Sequence, residues 1–269
     1  MRGSWFAWML AAVPMTAHAA EPWVPVAPWT LDAAQSKCTM ARRFSGGSLK
    51  LSLGFVVELA GGNRILIALP PGLYGKTPGK VTIAAPGIPA VTSEPRMLGS
   101  TGDGAQLLAL PVDRKRLSAL IAARQIEIDG DGLALSIPID GAPKIAGMLD
   151  TCEDDLLRTW KIDPAEYRKE VHPDPNASVP KPHAWITADD YPRDALRARQ
   201  EGEVAMIWRV ETDGTVTDCR IVQSSGFASL DAASCRIIVE RGRYRPYVDG
   251  DGRPAVMWAS TRFRWTLPR

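Results

Sequence analysis

Histidine is nearly absent from this sequence: three occur in 269 residues, and two of them, His172 and His183, lie in a stretch crowded with proline. Cysteine is scarce too, at four, and no two are spaced as Cys-x-x-Cys, so the ligand pattern of a structural zinc site is missing. Formal net charge is only +2, which gives no electrostatic reason for nucleic acid or an anionic surface as the main ligand. Beyond the first residues no window offers the roughly 20 apolar residues that a membrane-spanning helix needs. There is no serine with a nearby histidine motif and no nucleophile beside a base. Gly46-Gly47 and Gly61-Gly62 lack the spacing of phosphate or dinucleotide loops and read as turns. Accordingly, no catalytic residue, metal or cofactor is assigned, and the reading that survives is a binding protein.

The chain opens with Met1 and Arg2, an apolar run from Trp5 to Val13, then Thr16-Ala17-His18-Ala19-Ala20. A basic head, a short hydrophobic core and small residues at the cleavage position describe a secretory signal peptide over residues 1–20. Cleavage after Ala19 or Ala20 leaves an exported protein with no stable membrane insertion; an uncleaved signal anchor is the alternative. In an exported chain four cysteines read as two disulfides. Three pairings are formally possible. Cys38 and Cys152 bracket the first folded region, while Cys219 and Cys235 both lie in the second, so one bond is expected within each.

The fold class is α+β. Residues 22–160 form a β-rich α+β domain, with short strand-like runs at 49–59, 64–69, 80–84 and 106–112 punctuated by glycine and proline. Arg116 to Ala123 reads as a helix, Asp129-Gly130-Asp131-Gly132 as the turn of a hairpin, and Pro143 as the start of a helix carrying Ile145, Met148, Leu149, Cys152, Leu156 and Leu157 on one face. Over residues 161–184 the periodicity fades and Pro164, Pro173, Pro175, Pro180 and Pro182 accumulate, the composition of an extended linker.

Residues 185–269 carry the clearer pattern. Tyr191-Pro192 leads into a short helix; Val204, Met206, Trp208 and Val210 then alternate with Ala205, Ile207 and Arg209, as in a pleated strand. Asp213-Gly214 turns the chain into a second strand from Thr215 to Ser224. Ser229 is the expected cap of a helix from Leu230 to Arg241, ended by Gly242. A third strand, 255–267, sets Met257, Ala259, Thr261, Phe263 and Trp265 against Val256, Trp258, Ser260, Arg262 and Arg264, so one face is apolar and the other becomes basic. A helix laid on a three-stranded antiparallel sheet accounts for these segments in order.

Tyr191-Pro192, Gly202-Glu203-Val204, Asp213-Gly214-Thr215-Val216, Ser224-Ser225-Gly226, Leu230-Asp231 and Tyr244-Arg245-Pro246 occur in the order seen in TonB carboxy-terminal domains, which this part of the chain resembles. The resemblance implies a periplasmic module that takes a short extended segment, the TonB box of an outer-membrane receptor, beside its last strand in support of energy-dependent transport. Carried onto this sequence, it nominates Val256, Trp258, Ser260, Arg262 and Arg264 as partner-binding, with Tyr191 and Pro192 near the domain entrance. The family's transducers resemble a tether, with a membrane helix and a long proline-rich span, whereas this chain reads as a signal, a folded domain and a short linker. The other readings are a membrane-anchored transducer whose signal is retained, and a structural or assembly module whose sheet edge pairs with a second copy to make a homodimer.

Overall fold

Leu49, Leu51, Leu53, Phe55 and Val57 occupy every second position of one segment, which turns all five side chains to the same side of a strand. That parity organises the first region. The computed structural model describes residues 22–60, 62–71, 79–130, 132–169, 185–249 and 251–267. In chain order the first region runs β1 (Val24–Pro25), β2 (Thr30–Ala33), β3 (Lys37–Gly46), β4 (Leu49–Glu58), β5 (Arg64–Leu69), β6 (Val81–Ala85), β7 (Ile88–Ser93), β8 (Arg96–Ser100), β9 (Gln106–Pro111), α1 (Arg114–Ala122), β10 (Gln125–Gly130), β11 (Leu133–Pro138), α2 (Ala142–Thr159) and α3 (Pro164–Lys169). One sheet has the order β1-β3-β4-β5-β9-β8, with β2 also paired to β3; a second has the order β11-β10-β6-β7. Both sheets and both long helices contribute to one buried cluster that includes Met40, Phe44, Phe55, Ile67, Ile83, Leu117 and Leu149.

The second region has a 3-10 turn (Ala188–Asp190), α4 (Arg193–Arg197), β12 (Gly202–Val210), β13 (Val216–Gln223), α5 (Ala228–Arg241), β14 (Tyr247–Val248), β15 (Pro254–Ala255) and β16 (Met257–Trp265). Its sheet has the order β13-β12-β16, and α5 packs on one face through Leu230, Ala233, Ile237 and Ile238. The α+β class and the three strands under one helix are as the sequence implies. Disulfides join Cys38 on β3 to Cys152 on α2, with Cα atoms 6.1 Å apart, and Cys219 on β13 to Cys235 on α5, at 5.5 Å. One bond therefore lies within each region.

Two local readings change. Residues 161–169 do not begin an extended linker: Ile162 is buried and Pro164 opens α3, since proline suits the first helical position, where no amide hydrogen is required. The rest of that linker, 170–184, and the signal segment fall outside the described residues. Ser229 lies inside the first turn of α5 rather than capping it. Phe227 holds the cap position without a side-chain bond, and the Asp231 carboxylate reaches back to the backbone amide and hydroxyl of Ser225, at 2.8 and 2.7 Å.

Several of the sequence landmarks turn out to touch one another. A Cβ at Gly202 would lie 2.5 Å from the Ser225 carbonyl oxygen, and Gly214, at φ 83°, leaves room for the Tyr244 carbonyl, whose own amide donates to Gly214 O at 2.9 Å. These residues fix how the hairpin, the loop before α5 and the segment after it meet.

Candidate functional site

The third strand of the second region is an edge. Nine consecutive residue pairs join β16 to β12, from Gly202↔Trp265 to Val210↔Met257, with no register shift. Among the described residues no strand pairs with the other side of β16. The opposite edge, β13, is built differently. Its pairing with β12 shifts register twice, Asp218 sits at φ 48°, and Cys219 is bonded to α5. Bulges and irregular backbone are how an edge is blunted against added strands. A straight ladder of nine residues offers a template about 30 Å long.

On the helix side of β16, Met257, Ala259, Phe263 and Trp265 join the core beneath α5. The Trp265 indole donates to Ser234 Oγ at 2.9 Å and meets the rings of Tyr191 and Phe263 edge-on, at 5.2 and 5.1 Å between centroids. The other side of the sheet is covered as well. Ala205 and Ile207 of β12, Val222 of β13 and Trp258 of β16 form a single cluster with Leu59, Ala60, Leu157 and Ile162 of the first region. Tyr167 on α3 lies against Trp258, centroids 5.8 Å apart, and Arg220 donates to the Trp160 carbonyl at 3.1 Å.

The polar part of this interface is centred on Arg262. A guanidinium has five N–H donors, and here each has an acceptor. Nε and one terminal nitrogen reach Glu58 Oε1, the latter also approaching Ser36 Oγ at 3.4 Å, and the remaining nitrogen donates to Glu203 and Gln223, both at 3.0 Å. The Glu58 side chain is 1% exposed and forms a second ion pair with Arg64, so one buried carboxylate is bracketed by two guanidinium groups from different regions. Burial pushes the Glu203 carboxyl upward, but hydrogen bonds from Arg264 and Arg262 outweigh it and hold the group below the usual carboxylate range.

The nominated residues therefore separate. Ser260 and Arg264 are exposed, and Arg264 makes a surface pair with Glu203 at 3.1 Å. Val256 lies half-buried between β15 and β16. Trp258, at 6% exposure, is packed under the first region, and the guanidinium of Arg262 is fully engaged. Tyr191 is buried, its hydroxyl donating to the Gln200 carbonyl, while Pro192 precedes α4. The basic face that the sequence suggests is neutralised by Glu58 and Glu203.

Sequence reasoning missed the wall behind the strand: Ser36, Glu58, Leu59, Ile162 and Tyr167. The signal that points to it is in β12, where Ala205 and Ile207 are apolar on the face turned away from the helix. A sheet that is apolar on both faces needs a cover on both.

The geometry defines a class: an α+β module of three antiparallel strands under one helix, with one blunted edge and one unbroken edge that is unpaired among the described residues. Residues 187–267 match the family model described as Gram-negative bacterial TonB protein C-terminal, so the last third of the chain carries a domain of that family. No curated protein matches the chain. Among the described residues no helix is long and apolar enough to cross a membrane, and no group of three or more His, Cys, Asp or Glu side chains is placed to hold a metal ion.

Proposed function

We propose that this is a periplasmic binding protein which takes an extended segment of an envelope partner, a TonB-box-like stretch of an outer-membrane receptor, by adding it to the outer edge of β16 in support of energy-dependent transport. The observation that carries the reading is the contrast between the two edges: β16 keeps an unbroken ladder while β13 is bulged and cross-linked. Main-chain hydrogen bonds supply affinity in such pairing, and side chains beside the edge supply selectivity. Ser260 and Arg264 are the exposed side chains on one side of that edge; half-buried Ala259 and Phe263 lie on the other. The TonB-type domain and two disulfides support an envelope location, because oxidising compartments retain such bonds.

The test is an array of extended peptides from the plug ends of outer-membrane receptors, probed with the full chain under non-reducing conditions. The proposal expects a subset to bind and expects N-methylation at alternate peptide residues to abolish that binding, since it removes main-chain donors. Binding indifferent to N-methylation, or no binding to any segment, would overturn it. Self-pairing of β16 in a homodimer is the competing use of the same edge, and sedimentation over a concentration range reads it directly. Intact mass and fractionation of the native protein report signal cleavage and compartment.

A further inference from the structure

An edge strand is held by one ladder only, and its free side ordinarily frays. In this protein β16 has a second support that its own domain does not provide. Trp258 and Arg262 lie four residues apart on the same face of the strand, and both are gripped by the first region: Trp258 by Tyr167, Arg262 by Glu58 and Ser36. Ser260, between them, is exposed. The strand is thus pinned at two points and open in between. Glu58 is itself fixed from the first region by its ion pair with Arg64, so Arg262, which also bonds Glu203 and Gln223 of its own sheet, is tied to a point outside that sheet.

We infer that the first region is a brace for the docking strand and that Glu58 is its positioning residue, acting on β16 through Arg262. The inference rests on β16 being the docking edge. An edge ordered in advance loses less conformational entropy when a partner strand is added, so the brace raises affinity without touching the partner. Coupling of this kind is reciprocal: a segment paired with β16 tightens the contact between the regions, and the first region thereby registers occupancy of the edge.

The experiment is amide hydrogen exchange on the full chain, which needs no partner and so fails independently of the docking proposal. In Glu58→Gln, amides of β16 are expected to exchange at least about tenfold faster than in the parent, while α5 and β10 change little, as for local rather than global opening. Leu117→Ala, in the core of the first region and away from the interface, is the control for a merely structural effect; it is expected to give no preference for β16. Tyr167→Ala, a milder change at the other pin, serves if Glu58→Gln does not fold. Unchanged exchange in β16, or an equal acceleration in Leu117→Ala, would overturn the brace. Absence of peptide binding with the β16 response intact would overturn the docking edge alone.

Discussion

The two regions close their cores in different ways. The first encloses its apolar residues between its own two sheets and the helices α1 and α2. The second covers one face of its sheet with its own α5 and leaves the other face to the first region. The cluster between them draws four residues from each region, so the dependence is mutual, but only the second region gives a whole face of its sheet to it. Without the first region, Ala205, Ile207, Val222 and Trp258 form an apolar surface on a three-stranded sheet; without the second, Leu59, Ala60, Leu157 and Ile162 are uncovered, while each region keeps its own main cluster.

The largest effect that separates the regions is expected from their disulfides. Cys38–Cys152 spans 114 residues of sequence and Cys219–Cys235 spans 16. Constraint of the unfolded chain grows with loop length, so replacing the first pair by alanine should cost about 4 to 5 kcal/mol and the second about 3 kcal/mol. Urea unfolding under non-reducing conditions checks the order. A greater loss from the second pair would mean that the first region resists unfolding by other means.

Next in size is Arg262→Ala. It leaves the buried Glu58 carboxylate with Arg64 as its remaining charged partner, and breaking a buried pair on one side should cost about 3 kcal/mol. The loss should appear as an earlier unfolding transition of the second region, read by the fluorescence of Trp208 and Trp265, both deep in its core. A single transition, shifted as a whole, would show that the two regions unfold together.

What the sequence made legible follows the same division. In the second region the period-two alternation of β12 and β16, the Asp213-Gly214 turn and the Gly242 stop are all local signals, and strands and helix lie where those signals put them. In the first region β4, β5, β9, α1, α2 and the β10–β11 hairpin were readable, but β3 was not. Arg42 interrupts the apolar face of Cys38, Met40 and Phe44, and only the fold shows that it lies over the Trp29 ring and donates to the Ala27 carbonyl at 2.6 Å. Likewise Tyr191, nominated near the domain entrance, reads equally well as a ligand contact or as packing, and its burial in the core favours packing. The docking strand was nominated by the family resemblance alone, and the strand order of the fold puts it at an edge. The wall behind it was not legible, because Glu58 and Arg262 are 204 residues apart and neither carries a local pattern that names the other.

A smaller test concerns the entrance of the second region. The Asp190 carboxyl is drawn down to about 2 from an ordinary 3.8, mainly by hydrogen bonds from Arg241 and, against the upward push of burial, by the Thr187 amide and hydroxyl. The folded protein therefore binds this proton less readily than the unfolded chain. The contribution to stability is full above about pH 4 and is lost as pH falls towards 2. In Asp190→Asn, the thermal midpoint should fall less steeply across that window than in the parent. An unchanged slope would assign the acid sensitivity to other carboxylates.

The smallest expected effect tests the comparison most directly, because it sets two arginines of one strand face against each other. Arg264 is two residues beyond Arg262 and points the same way, but its side chain is 71% exposed and meets Glu203 in water. An exposed pair of this kind contributes under about 1 kcal/mol, so Arg264→Ala should leave the unfolding midpoint nearly unchanged while Arg262→Ala lowers it clearly. Both substitutions remove one positive charge from the same face, and a difference between them cannot come from net charge. Equal losses would mean that Glu58 adds nothing beyond a surface contact and that the first region merely lies beside the sheet. Unequal losses place the energetic weight at the point where the two regions meet.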